Sequence, residues 1–177
     1  MKRWPKRPLG DIAQVNWGDT SLTKASYVSE GFPAFSATGE DGFLQSYAHE
    51  DMGIVLSAIG ANCGKCFLAE GRWTAIKNTI TITAPNPELC NLPYLFYFLN
   101  NQDLWPKRGG GQPFISQGDA KKVQVPMPPL VEQERIVKLL DEADDLRKLR
   151  AQADHNSAAL IPALFHSMLH RAFRGEL

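Results

Sequence analysis

The chain has 177 residues, of which 44% are hydrophobic and 21% charged, and its 19 basic and 19 acidic residues cancel to a formal net charge of zero. This composition is typical of one folded domain with an appendage; it excludes a disordered chain and argues against a protein that coats nucleic acid through bulk charge. The basic amino terminus lacks the apolar core of a secretion signal, no apolar run could span a bilayer, and three cysteines are too few for a disulfide framework, so we predict a cytoplasmic protein without membrane contact.

Residues 1–126 predict a mixed α/β domain built from short elements. Four segments have the apolar content of strands: 32–35, 53–57, 65–69 and 78–83. The second and third are expected to pair across the turn between them. The fourth alternates isoleucine with threonine, which is the clearest strand pattern in the chain. Glycines and polar residues over 36–42 predict a loop.

The second half of the domain predicts one helix and one flexible loop. Residues 92–100 are mostly apolar, and Pro93 stands near the first helical position, which indicates a short buried helix. Residues 107–114 hold basic side chains and three consecutive glycines, so we predict a flexible basic loop whose backbone N–H groups are open to a phosphate.

Three prolines, at 126, 128 and 129, hold the chain extended and mark the end of the domain. Residues 127–177 are predicted to be helical, with one long helix over 130–160 that Pro162 should kink or end, and a second short helix over 163–173. The predicted fold class is therefore a mixed α/β domain followed by a long C-terminal α-helix. At ~1.5 Å per residue, residues 130–160 would extend roughly 45 Å.

Apolar residues recur along this helix at the two seam positions of a heptad frame, although Arg150 and Ser157 interrupt one of them. Two interpretations remain open. The helix could pair with another helix as a coiled-coil spacer, or it could be an amphipathic helix lying on its own domain. The candidate interface residues are Ile136, Leu139, Ala143, Leu146, Ala153 and Leu160.

Catalytic and metal chemistry find little support in the sequence. Cys63 and Cys66 have the C-x-x-C spacing of redox and zinc sites, but there is no second pair to complete a zinc site. A redox pair would open a helix after a strand, whereas this pair falls in a predicted turn. No nucleophile–histidine arrangement can be assembled. We therefore predict no catalytic residue and no metal site, and keep a thiol enzyme as the alternative from another class.

The loops instead supply the chemistry that DNA recognition needs. Cations neutralise phosphates, while short polar side chains, arginine and glutamine reach base edges. The candidate DNA-binding residues are Lys24, Ser36, Thr38, Asn62, Lys65, Lys77, Asn78, Arg108, Gln112 and Ser116.

Four stretches carry a resemblance to a known family: residues 4–13, 53–65, 111–137 and 172–177. The most specific is Val125-Pro-Met-Pro-Pro-Leu-Val-Glu-Gln-Glu-Arg-Ile-Val137, where the domain meets the helix. With these motifs the chain resembles the specificity subunits of type I restriction–modification systems, in a half-length form. Those subunits carry two recognition domains held apart by two antiparallel helices, whereas this chain has one domain and one helix.

The resemblance implies a non-catalytic subunit that reads one half of a bipartite target in double-stranded DNA. It also implies partners: modification subunits, which would bind S-adenosylmethionine, and translocating restriction subunits; the chain itself would need no cofactor. With one domain and one helix, the chain is expected either to act as a homodimer or to be a fragment. Two further alternatives stay open: a recognition module of another phage-defence complex, and an assembly factor that never touches DNA.

Overall fold

The structure, a computed structural model, describes the backbone of residues 4–173 and the side chains through Asn156, together with Ala158. The strands within it are β1 (Lys6–Pro8), β2 (Gln14–Trp17), β3 (Phe32–Ser36), β4 (Gly39–Leu44), β5 (Gly53–Ser57), β6 (Cys66–Ala69), β7 (Thr74–Ala75), β8 (Thr79–Thr83) and β9 (Gln124–Pro126). The α-helices are α1 (Leu9–Ile12), α2 (Leu92–Leu99), α3 (Gln117–Lys121) and α4 (Leu130–Phe173), with 3-10 turns at Lys24–Ser26 and Gln102–Leu104. The predicted fold class is confirmed.

A four-stranded antiparallel sheet in the order β2-β8-β5-β6 forms the centre of the domain. The strands predicted over 53–57, 65–69 and 78–83 are its β5, β6 and β8, and the expected β5–β6 pairing is confirmed. Because β8 lies between two other strands, Thr79 and Thr81 are buried together with Ile80 and Ile82. Thr79 satisfies its hydroxyl by donating to the Ile76 carbonyl at 2.6 Å.

A three-stranded sheet in the order β4-β3-β7 lies beside it, and its β3 is the strand predicted over 32–35. The predicted loop over 36–42 is wrong, because β4 already begins at Gly39. The glycines there make room for aromatic rings. A Cβ on Gly42 would come within 2.1 Å of the Tyr27 ring, and one on Gly39 within 3.0 Å of the Phe67 ring. Their sequence signal therefore reports close packing rather than a long turn.

The main core lies between the central sheet and α2. Leu95 and Leu99 of this helix are fully buried together with Ile54 and Leu56 of β5. The helix starts as predicted, since the Asn91 side chain caps it by accepting the Tyr94 N–H at 2.9 Å.

A smaller cluster fills the other face of β5. Val55 points there and packs with Trp73 and Phe35, so both faces of this strand are covered. The Trp73 indole N–H donates to the Asp51 carbonyl at 2.7 Å, which satisfies the one polar atom of the ring.

The chain divides into two compact units, Met1–Val137 and Lys138–Leu177. The first turns of α4 therefore belong with the domain, where Ile136 and Val137 pack against the main core. As a helix, α4 continues through Pro162, so the predicted end at Pro162 and the separate helix over 163–173 are wrong. A proline removes one hydrogen bond of the helical ladder, and the surrounding alanines and leucines favour helix strongly enough to continue.

Within residues 4–173, none of the helices combines the length and the apolar character that crossing a bilayer requires.

Candidate nucleic-acid interface

The backbone gathers several loops at one end of the central sheet, which we call the loop end. The β5–β6 turn (residues 58–65) and the turn before β8 (76–78) lie side by side there, because the Ala58 N–H donates to the Asn78 carbonyl at 3.0 Å. The β3–β4 turn (37–38) joins them, since the Ile76 N–H donates to the Phe35 carbonyl at 2.9 Å. Antiparallel pairing therefore brings segments that are distant in sequence to one surface.

The loop end contains an open cavity of about 400 Å³. Five of the predicted DNA-binding residues line it: Lys24, Ser36, Thr38, Lys77 and Asn78. The remaining lining residues are Thr23, Ala25, Ala37 and Ile76. Asn78 occupies the left-handed backbone region, with φ of 69°, which asparagine tolerates better than most residues. The structure thus brings together half of the residues that the sequence suggested.

Asp41, a residue that the sequence analysis did not select, organises the wall of this cavity. Its carboxylate accepts four side-chain hydrogen bonds: from Lys24 Nζ to Oδ2 at 2.5 Å, Ser36 Oγ to Oδ2 at 2.6 Å, Thr38 Oγ1 to Oδ2 at 2.5 Å and Tyr27 OH to Oδ1 at 2.6 Å. Partial burial by itself would raise the pKa of Asp41, but the donated hydrogen bonds outweigh it and hold this pKa well below its usual range. The residue is therefore ionised at neutral pH.

Asn62 and Lys65 lie on the β5–β6 turn and line a second, wider depression. The Asn62 amide reaches the β3–β4 turn by donating to the Ala37 carbonyl at 3.2 Å, which ties the two loops together. Lys65 Nζ lies 5.4 Å from the centre of the Phe67 ring. The other lining residues are Ala61, Asn100, Asn101, Gln102 and Asp103. Side-chain amides both donate and accept, so this depression suits base edges and sugar hydroxyls.

Arg108, Gln112 and Ser116 belong to a segment that is more ordered than the flexible loop predicted over 107–114. Arg108 and Phe114 exchange two backbone hydrogen bonds of 2.9 Å and so close a hairpin. The hairpin is fastened to the β5–β6 turn, because the Gly60 N–H donates to the Pro113 carbonyl at 3.0 Å. Gly109 needs its positive φ of 83°, since a Cβ there would lie 2.7 Å from the Gln112 carbonyl.

Two of these predicted contacts also support the fold. Arg108 forms a bidentate ion pair with Asp119, with Nε–Oδ2 at 2.7 Å and Nη2–Oδ1 at 2.8 Å. Ser116 caps α3 by accepting the Asp119 N–H at 3.0 Å, and donates its hydroxyl to Asp119 Oδ2 at 2.6 Å. The hydrogen bonds from Arg108 and then Ser116 lower the pKa of Asp119. The Arg108 side chain remains 62% exposed, so its outer edge is still open to a phosphate.

Two aromatic residues at the loop end were also missed. Trp17, at the end of β2, is 40% exposed, and Phe114, in the hairpin, is 37% exposed. Exposed rings of this kind offer apolar contact to bases and sugars. Trp17 follows a predicted apolar segment and Phe114 follows a proline, so neither signalled exposure in the sequence.

The cysteine pair has the environment of structural thiols. Cys63 Sγ donates to the Ala58 carbonyl at 3.3 Å, and Cys66 Sγ to the Leu99 carbonyl at 3.4 Å. Both side chains are buried, and burial raises the pKa of each thiol. A raised pKa disfavours the thiolate that redox and nucleophilic chemistry require, so this geometry argues against the thiol-enzyme alternative.

The predicted helical interface divides between the two units. Ile136 is partly buried against the core of its own domain. In the second unit, Ala143 and Ala153 are exposed, Leu139 is 55% exposed and Leu146 is 67% exposed. The side chain of Leu160 lies outside the described residues, as do residues 174–177 at the end of the fourth resemblance stretch. The exposed seam that the structure describes is therefore Leu139, Ala143, Leu146 and Ala153.

Solved structures of specificity subunits share this fold. The S subunit of a type I restriction–modification system from M. genitalium matches 80% of this chain and 39% of its own length, with a TM-score of 0.67 and 21% identity. The HsdS subunit from Thermoanaerobacter tengcongensis matches 98% of this chain and 46% of its own length, with a TM-score of 0.71 and 21% identity. A chain from a structure on complex assembly and conformational transition of the type I system reaches 0.75 over all of this chain and 47% of its own, also at 21% identity. The fold defined here is that of a type I specificity subunit.

Sequence comparison identifies the family. The family model described as "Type I restriction modification DNA specificity domain" matches residues 1–154, and the chain belongs to this family. The MjaVIII specificity subunit of Methanocaldococcus jannaschii is 30% identical over 156 residues, which cover 81% of this chain and 36% of that protein. The putative specificity subunit S.HindORF215P of Haemophilus influenzae is 27% identical over 140 residues, 76% of this chain and 36% of that protein. The resemblance predicted from the sequence is confirmed, and the chain spans just over a third of these two relatives.

Proposed function

We propose that the chain is a non-catalytic DNA-specificity subunit of a type I restriction–modification complex and reads one half of a bipartite target in double-stranded DNA. The observation that carries this proposal is the convergence of the predicted polar and basic side chains on one loop end of a family member. Cations that are distant in sequence share a surface there with amides and hydroxyls, which is the combination that phosphate and base contacts require.

The charge balance sets the expected strength of binding. Lys65 and Lys77 are cations of the loop end, whereas Lys24 and Arg108 are each paired with a carboxylate. Few phosphates can therefore be neutralised, and the formal net charge of the chain is zero. We expect modest, salt-sensitive affinity for DNA in the isolated chain and tight binding only together with modification subunits, which would carry S-adenosylmethionine.

The helical unit supplies the proposed assembly surface. Leu139 and Leu146 are more than half exposed in the single chain, and solvent-exposed leucines along one helix stripe favour a helical partner. We propose that two copies pair through this stripe and that modification and restriction subunits assemble on the resulting scaffold in the cytoplasm. Two identical copies related by a two-fold axis would read an inverted repeat with an interruption.

Methylome sequencing of cells that carry this chain with its modification subunit tests the proposal. We expect methylation at one defined interrupted sequence, and a gel shift on that duplex that strengthens when the modification subunit is added. Methylation that persists unchanged at the same sequence when the chain is deleted would show that another protein sets the specificity. A gel shift that needs the modification subunit and is equal for all duplexes would favour an assembly factor instead.

A further inference from the structure

Asp41 is an unusual residue for a DNA-facing surface, because its charge opposes phosphate. It lies on β4, next to the cavity, and its side chain is only 22% exposed. Three of its four donors, Lys24, Ser36 and Thr38, line that cavity. One carboxylate thus fixes side chains from the 3-10 turn at 24–26 and from the β3–β4 hairpin.

Lys24 is the member of this network whose behaviour matters most. Its ammonium contacts Asp41 Oδ2 at 2.5 Å and Thr38 Oγ1 at 3.3 Å, yet its side chain remains 60% exposed. A free lysine at this place would bind any phosphate as a point charge, irrespective of sequence. The nearby carboxylate cancels that charge and so withholds a contact that every DNA duplex could satisfy equally.

We propose that Asp41 is a specificity-setting positioning residue, which fixes the polar wall of the cavity and restrains Lys24 from indiscriminate phosphate binding. This inference rests on the proposed function. Specificity is a difference between affinities, and it rises when contacts common to all duplexes are weakened. The cost is a lower affinity for DNA in general, in return for better discrimination between sequences.

The test compares Asp41→Asn with Glu40→Gln in the full chain, bound to its modification subunit. Both variants raise the net charge by one, and Glu40 is the exposed neighbour of Asp41 on β4. Binding is measured by fluorescence anisotropy on the duplex identified by methylome sequencing and on a scrambled duplex, over a series of salt concentrations. For Asp41→Asn we expect roughly threefold to tenfold tighter binding of the scrambled duplex, and a salt slope steeper by about 0.9, the value for one added phosphate.

Two further measurements separate this role from a merely structural one. In a Lys24→Ala background, Asp41→Asn should no longer tighten scrambled-duplex binding, because the released cation is absent. Thermal unfolding of each variant reports whether the fold persists. The inference is overturned if Asp41→Asn weakens both duplexes in equal proportion with an unchanged slope, if Glu40→Gln has the same effect, or if the gain survives without Lys24. A wild-type complex that binds no duplex at all would remove the proposed function itself, and this inference with it.

Discussion

Gln133 explains why the junction between domain and helix carries a glutamine among charged residues. Its side chain is fully buried. Its Oε1 accepts the Asn91 N–H at 2.9 Å, and its Nε2 donates to the carbonyls of Pro128 at 3.0 Å and Leu89 at 3.3 Å. One amide thus satisfies three backbone groups that would otherwise be buried without partners. It also fixes the first turn of α4 to the start of α2.

Gln133→Leu should be strongly destabilising, because it keeps the volume but leaves buried backbone groups without partners. At ~1–3 kcal/mol for each unsatisfied group, a loss of roughly 2–4 kcal/mol is expected in the free energy of unfolding. Urea denaturation of the full chain, followed by circular dichroism, measures it. Glu134→Leu serves as the control, since Glu134 is exposed on the same helical turn. Equal stability of the two variants would contradict the buried hydrogen bonds.

Asp41 predicts a pH dependence of stability. Its pKa in the folded protein lies below the ordinary value of 3.8, so the folded state favours the ionised form. This contribution is present above about pH 4 and is lost as pH falls through the folded-state pKa. We expect Asp41→Asn to unfold at a lower temperature than wild type at pH 7, with the difference shrinking below about pH 4. A difference that grows on acidification would contradict the assigned network.

At this scale the sequence identified residue types better than it identified roles. Loop position and polarity were enough to find the side chains that line the cavity. Asp41 and Gln133 were missed because their importance comes from partners that lie far away in sequence. Gln133, for example, bonds to Asn91, 42 residues before it. An acid beside a glycine predicts a turn, and a glutamine between two glutamates predicts an exposed face; only the tertiary contacts overrule these expectations.

At the scale of elements, the 108–114 hairpin offers the clearest experiment. Arg108→Ala removes a cation from the loop end and also frees Asp119, so DNA binding in the assembled complex should weaken for all sequences, with the salt slope falling by about one. Arg72→Ala is the matched control. Arg72 is an exposed arginine paired with Glu50, after β6, at the end of the sheet where β5 begins. Equal affinities of the two variants would remove the hairpin from the interface.

Elements with continuous or alternating apolar patterns were predicted correctly, as β5, β6, β8 and α2 show. The errors arose where glycine and proline were taken as breaks. Gly39 and Gly42 lie within β4, under the rings of Phe67 and Tyr27. Pro162 lies within α4. In each case the local preference of one residue was outweighed by packing or by the helical preference of its neighbours, which a single sequence does not display.

At the scale of the whole molecule, the proposed dimer can be tested with two neighbouring alanines. Ala153 lies on the heptad seam and Ala151 does not, and both are exposed in the single chain. Ala153→Glu should place a charge in the paired helices and shift the chain toward monomer, while Ala151→Glu should leave it dimeric. Light scattering at tens of micromolar should give about twice the 19.7 kDa of one chain for wild type. A wild-type mass of a single chain would exclude the homodimer.

The pairing of β1 with β9 has a consequence for how such proteins acquire new targets. Lys6 lies opposite Pro126 in this ladder, so the polypeptide enters and leaves the domain at adjacent points. A segment with adjacent ends can be exchanged as a cassette, because everything outside the ladder is left in place. Recombination that replaces residues 9–123 would therefore change the preferred DNA in one step, without redesign of the helix that follows.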